Sequence, residues 1–475
     1  MLNVKLIVTT LCLLLLVCDS VVESRKKKGN KPPCSTRKSF GSASYKFFGV
    51  RTLYKYARKK LPTTSNRSPE NCHPVHIYLI ARHGARLPHK GTRREQLRLQ
   101  TFLRTLNSTG NAKLCSADME ALRNWVPWVG ENVDKNQTEY GDNEIRGIAK
   151  RFLKLLPELF PTPSAPFDFR FRSSDYQRTI ATMRVFAKEI FKKGRPRNSD
   201  IERTLQEANL QVVPLFDDTY LRFNLICQKY LKTVMRNSSR YAEYKNMLSG
   251  PLVDRIIRSV AFRLGVPKTS ITPKFLYTIY LDGCSLQQWN DAENGPWCFP
   301  FSKKDLKALD YLTDVKEYWH RRHANRITRE MSCDLAKDIM GSLNDAAESD
   351  RRGDDFPKGT FRFAHVTAVL STAANFGLYQ EDDLPVTEEN YRSLMRNRKF
   401  SMARLSPSAG NLAFVLYKCG EEYKVQTFLN EGLTSIPGCS ESDGKLCPLG
   451  YVLDHYRDFV PGSESECNYD EICQV

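Results

Sequence analysis

The sequence predicts an α/β core that carries an inserted, mainly helical domain. Short β-prone runs alternate with stretches of helical periodicity, three of those runs end in arginine or histidine, and residues 195–340 are helix-compatible almost throughout. Val75-His76-Ile77-Tyr78-Leu79-Ile80-Ala81 has the length and apolarity of a buried strand and stops abruptly at Arg82-His83-Gly84-Ala85-Arg86-Leu87-Pro88. Helices are expected from about Thr92 to Asn107 and from near Asp142 through Leu156. Phe167-Asp168-Phe169-Arg170-Phe171 alternates as a strand does and delivers Arg172 to its end. Arg178-Thr179-Ile180-Ala181-Thr182-Met183 then opens a helix, and Arg178 is read as support for that start. After a polar break, Phe361–Ala364 is a third strand ending at His365, and Val366–Phe376 is helical. Leu412–Tyr417 and Tyr423–Phe428, joined through Gly420-Glu421-Glu422, form a hairpin. Ligands of open α/β sheets bind beyond the carboxyl ends of the strands, so Arg82/His83, Arg172 and His365 are expected to converge.

The chain divides accordingly. Residues 1–24 read as a signal peptide: a basic start, an apolar Leu6–Val17 too short to span a membrane comfortably, and small residues at Ser20 and Ser24. An uncleaved anchor is the competing reading. A basic segment covers 25–70, the α/β core 71–194 and 341–460, the helical insertion 195–340 and a tail 461–475. That tail ends without a hydrophobic lipid-anchor signal or an ER-retrieval tetrapeptide.

Of 14 cysteines, Cys12 and Cys18 lie in the signal. The remaining even number, in an oxidising compartment, suggests up to about six disulfides, among Cys72, Cys115, Cys227, Cys284, Cys298, Cys333, Cys419, Cys439, Cys447, Cys467 and Cys473 as well as Cys34. Cys439/Cys447 and Cys467/Cys473 are spaced for small local loops. Metal binding is disfavoured because no C-x-x-C pair occurs, and no cofactor is expected. Asn107, Asn136 and Asn237 open glycosylation triplets that agree with secretion to the cell surface or outside the cell. The net charge of +19 favours an anionic ligand. The run Arg25–Lys28 reads as a solvated basic arm or a cell-surface contact. No zinc-finger, helix-turn-helix or RNA-binding pattern is present, so nucleic acid is not expected as a partner. Oligomeric state is not legible.

Arg82-His83-Gly84-Ala85-Arg86-Leu87-Pro88 resembles the R-H-G-x-R-x-P signature of the histidine acid phosphatases. The chemistry explains the residue types. A neutral imidazole at His83 can attack phosphorus, and Arg82 and Arg86 present permanently charged forks to phosphoryl oxygens. Arg172-Ser173-Ser174-Asp175-Tyr176-Gln177-Arg178-Thr179 looks like the family's second element and makes Arg172 a third phosphate clamp. Gly295-Pro296-Trp297-Cys298, Leu309-Asp310-Tyr311-Leu312, Leu221-Arg222-Phe223 and Asn411–Cys419 are similar to the multiple inositol polyphosphate phosphatase branch. The likeness spans roughly 70–460. It implies the histidine phosphatase fold, a central mixed sheet flanked by helices, and hydrolysis of phosphomonoesters on inositol phosphates or 2,3-bisphosphoglycerate.

One departure stands out. The family's last motif pairs a histidine with a carboxylic acid, His-Asp in most members and His-Ala-Glu in this branch; here it reads His365-Val366-Thr367. His365 is in place to hydrogen-bond the phosphoryl group, but a threonine cannot protonate a leaving alcohol. Losing a general acid typically lowers the rate ~10²- to 10⁴-fold. Asp175, Glu139 and Glu144 are candidate replacements, and the proton donor is otherwise unknown. Slow turnover, restriction to good leaving groups, and ligand binding without turnover are the three resulting expectations.

Overall fold

The computed structural model describes residues 46–475 except 59–68, 70, 107–110, 128–133, 196, 286–294, 322–324, 380–383 and 440–445. The segment read as a signal peptide, the basic run at 25–28 and the Asn107 triplet lie outside these residues. The backbone of the molecule is a mixed sheet. Its strands are β1 (Cys72–Arg82), β2 (Phe169–Ser174), β3 (Gln211–Val213), β4 (Gly359–Ala364), β5 (Asn411–Cys419), β6 (Glu422–Leu429), β7 (Gly432–Thr434) and β8 (Leu446–Pro448). The order is β3-β2-β4-β1-β5-β6-β7, with β8 pairing β6. β3, β2, β4 and β1 run parallel, and β5 opens the antiparallel half.

The helices that matter here are α1 (Lys90–Leu106), α2 (Glu139–Leu155), α3 (Gln177–Phe191), α4 (Asn198–Glu207), α5 (Pro251–Leu264), α6 (Lys303–Arg321), α7 (Cys333–Arg352), α8 (Val366–Asn375) and α9 (Tyr469–Cys473). β1 explains why both faces of the sheet are covered. Ile77, Leu79 and Ala81 enter a core built with α2, α3 and α4, while Tyr78 and Ile80 enter a second core with α1, α5, α6, α7 and α8. A continuous apolar strand needs both. In α2, Ile145, Ile148, Ala149, Phe152 and Leu155 recur at helical spacing and are all buried. Burying a side chain the size of Phe152 is worth ~1.5–3 kcal/mol.

Strand and helix positions follow the sequence reading to within a few residues, with two shifts. Arg172 sits inside β2 rather than at its end. β3 joins the sheet from a stretch read as the start of the helical insertion, so sheet-building residues extend to Val213. Three residues of pairing are too few to leave a period-2 signature.

Five disulfides link Cys72–Cys419, Cys227–Cys473, Cys284–Cys298, Cys333–Cys467 and Cys439–Cys447, and Cys115 is also disulfide-bonded. Cys439 and Cys447 close the short loop expected of them. Cys467 and Cys473 do not pair with each other. Cys467 precedes α9 and Cys473 is its last residue, and they bond separately to Cys333 and Cys227, stapling the C-terminal tail onto the helical segment. Spacing alone could not show this, because the partners are 134 and 246 residues away.

A buried ion cluster joins that segment to the core. Arg398 bonds Asp310 and Asp314, Asp310 accepts from Gly49 N–H (2.8 Å), and Asp314 accepts from Met402 N–H (2.8 Å). Gly49 has φ +50°, and a Cβ there would sit 2.5 Å from Thr313 Cγ2, so only glycine suits the position. The result is a fixed wall, Gly49–Arg51, beside the end of β1.

Candidate active site

β1 and β4 are adjacent and parallel, in register from Ile77↔Gly359 to Arg82↔Ala364. Their carboxyl ends therefore deliver His83 and His365 side by side, with ring centroids 5.4 Å apart. β2 flanks β4 on the other side and leads into Tyr176 and Arg178. This is the convergence that strand ends in a parallel sheet permit.

His83 is held on three sides. Its backbone N–H donates to Ala364 O (3.1 Å) and its carbonyl accepts from Ala409 N–H (3.0 Å). Its Nδ1 lies 2.8 Å from Gly84 O, so Nδ1 carries the proton and Nε2 keeps a free lone pair. Burial, then Arg82, Arg178 and Arg86, hold its pKa well below the usual imidazole range. The ring is thus neutral at physiological pH.

The loop after His83 is locked against α2. A Cβ on Gly84 would fall 2.4 Å from Gly141 O, and one on Gly141 2.2 Å from Ala85 O, so the two glycines permit the contact. Glu144, on the next turn of α2, accepts from Ala85 N–H (2.9 Å), Tyr54 N–H (2.8 Å) and Ser408 Oγ (2.6 Å). Residues 135–138 pair against 85–88 through Leu87 N–H to Asn136 O (2.8 Å) and Thr138 N–H to Ala85 O (3.0 Å). Asn136 therefore lies beside the signature loop. Asn237 is exposed and caps a turn through Ser239 N–H.

Arg82 donates through Nη1 to the carbonyls of Val50, Ser406 and Pro407, each at 2.8 Å, which fixes its fork between the Gly49–Arg51 wall and the β5 approach. Arg86 is pushed down to about 9 by burial and neighbouring guanidiniums and remains cationic at neutral pH. Val50, Arg51, Arg82, His83, Arg86 and His89 border a cavity of about 80 Å³.

The third guanidinium beside the histidines is Arg178, not Arg172. Arg178 Nη2 lies 2.6 Å from His365 Nε2 and donates to it, which leaves the proton on Nδ1. That buried Nδ1 has no hydrogen-bond partner among the described residues. Arg172 instead stacks on Tyr220, 4.4 Å from the ring centroid, with Asp218 among the charges near it. The reason is register: Arg172 sits opposite Arg362, two residues short of the sheet edge, whereas Arg178 on α3 reaches back over it. The sequence alone assigns Arg178 only a supporting place at the helix start.

Arg222 is a further residue of the site. Burial and then Arg222 are the leading causes that hold His365 well below its usual range. Its membership in Leu221-Arg222-Phe223 was the available signal. Asp175 and Glu139 are exposed, and Glu144 is occupied as an acceptor. Thr367 is buried in the first turn of α8.

Two parallel strand ends, each presenting a neutral histidine among arginines, define a histidine phosphatase. A family model of the histidine phosphatase superfamily (branch 2) matches residues 75–430, and the chain belongs to that superfamily. It is 28% identical over 456 residues to the Homo sapiens multiple inositol polyphosphate phosphatase 1, covering 90% of this chain and 89% of that one. The Drosophila melanogaster protein of the same name is 25% identical over 408 residues, covering 81% and 79%. The crystal structure of a D. castellii phytase aligns with TM-score 0.69 at 19% identity, covering 94% and 91%. That of Bifidobacterium longum multiple inositol polyphosphate phosphatase with inositol hexasulfate gives 0.60 at 14%, covering 86% and 96%. At such identities these structures speak to the fold.

Proposed function

We propose that this protein is a secretory-pathway phosphomonoesterase that removes phosphate from inositol polyphosphates, with 2,3-bisphosphoglycerate as a second substrate. The observation that carries the reading is the His83 tautomer: Nδ1 engaged by Gly84 O, which leaves the Nε2 lone pair free, with Arg82, Arg178 and Arg86 as the charges acting on the ring. A phosphoryl group held by these arginines and by His365 Nδ1–H is attacked in line by His83 Nε2. The P–O bond breaks as the P–N bond forms, and water then hydrolyses the phosphohistidine. The names of the relatives support inositol polyphosphates as substrate, and the surplus positive charge suits a dense polyanion. The disulfides support an oxidising compartment, extracellular or at the cell surface; among the described residues no helix is long and apolar enough to cross a membrane.

Acid-quenched labelling with ³²P substrate tests the mechanism. Label is expected on the wild-type protein and absent from His83→Ala; label persisting on the variant would refute the nucleophile. A second reading, binding without turnover, rests on Thr367 standing where the branch has its acid. It expects salt-sensitive binding of inositol hexakisphosphate with no phosphate released on long incubation.

A further inference from the structure

Expulsion of an inositol alkoxide needs a proton, and three described carboxylates near the histidines are poorly placed to give one. Glu144 accepts three hydrogen bonds beneath the signature loop. Asp218 is fully buried behind Arg172 and Arg222. Asp134 is exposed and pairs with Lys135 (3.7 Å), with Arg86 and Arg178 among the charges it acts on.

Tyr176 differs from all of these. Its ring meets His365 edge-on at 5.0 Å between centroids, so His365 lies against both Tyr176 and His83. The Arg178 and Arg222 guanidiniums lie 4.4 and 4.9 Å from its ring centroid. Arg222 Nη2 donates to its oxygen at 3.5 Å, which leaves the phenolic O–H able to donate elsewhere. Its backbone is pinned at the start of α3, with N–H to Ser174 O (2.9 Å) and its carbonyl accepting from Thr179 (3.0 Å) and Ile180 (3.0 Å). The side chain is partly exposed, unlike the histidine it touches.

Resting on the phosphatase reading above, we propose that Tyr176 is the catalytic residue that protonates the leaving alcohol in place of the acid missing at Thr367. As the bond from phosphorus to the inositol oxygen breaks and His83 Nε2 takes the phosphoryl group, the Tyr176 O–H proton passes to that oxygen. The neutral alcohol leaves, and a phenolate stays between two guanidiniums. The phenolate then takes a proton from the water that attacks phosphohistidine, restoring Tyr176 and His83 and releasing inorganic phosphate. A phenol is far more acidic than an alkyl alcohol, so the transfer runs downhill once the bond begins to break.

The test compares kcat/KM, which reports the steps through alcohol release, on inositol hexakisphosphate and p-nitrophenyl phosphate. The second leaving group departs without a proton. Tyr176→Phe is expected to lose ~10²-fold or more on the inositol ester and less than about threefold on the phenyl ester. Tyr176→Phe/Thr367→Glu is expected to regain at least about tenfold on the inositol ester. Equal losses on both esters would make Tyr176 a positioning residue for the arginines and overturn the proposal, as would no loss on either. Selective loss in Asp134→Asn, with Tyr176→Phe unaffected, would overturn it in favour of that carboxylate. Absence of phosphohistidine in the wild type would bring down the phosphatase mechanism and this role together, whereas the other refuting outcomes strike the tyrosine alone.

Discussion

Glu144 offers a stringent test of how the signature loop is held. Its carboxylate is the acceptor for Ala85 N–H, Tyr54 N–H and Ser408 Oγ, all buried. Glu144→Ala leaves three polar groups unsatisfied at ~1–3 kcal/mol each, so a loss of about 3–9 kcal/mol is expected. Glu144→Gln is the sharper variant. It keeps the shape but turns one oxygen into an NH₂ facing a backbone donor, for about 1–3 kcal/mol. Ala85 lies between His83 and Arg86, and misplacement by about 1 Å at a reacting centre can cost ~10²-fold in rate. Guanidinium unfolding gives the first quantity and kcat on p-nitrophenyl phosphate the second. A Gln variant within about 0.5 kcal/mol of wild type and with unchanged kcat would refute the idea that this carboxylate positions the loop.

Three other expectations follow from particular contacts. Arg178→Ala should lower kcat/KM ~10²- to 10³-fold, and Arg172→Ala less than tenfold, because only Arg178 touches His365. His83 and His365 are both held well below 6.5, so below about that pH the unfolded chain binds protons that the folded one refuses. Stability should therefore fall as pH drops from about 6.5, read as a declining Tm, and His83→Ala should flatten the decline. Removing the Cys227–Cys473 bridge by a double serine substitution should cost about 2–4 kcal/mol in equilibrium unfolding, whereas little change would mean that α9 docks without its staple.

The strands and the helices around the site were legible because their burial is regular. β1 is apolar on both faces, α2 repeats at helical spacing, and the end of each is marked by a charged or turn-forming residue. His83, Arg82, Arg86 and His365 were legible for a related reason: each lies at a strand end or in the loop that leaves it, and strand ends in a parallel sheet share an edge. β3 was not, since three residues carry no period. The partners of Cys467 and Cys473 were not, since disulfide pairing depends on distances that the chain order does not encode.

What the sequence determined by itself was the loop that follows His83, the second histidine, and the absence of an acid at Thr367, all local patterns read within a few residues. Which arginine faces the histidines was decided by tertiary structure. Arg172 and Arg178 are six residues apart, and register along β2 together with the turn into α3 sends one toward Tyr220 and the other to His365. The same turn sets Tyr176 against His365, beside Arg222 from a segment 46 residues on. Side-chain chemistry names the candidates; only packing of separate elements puts a proton, a lone pair and a positive charge within reach of one another.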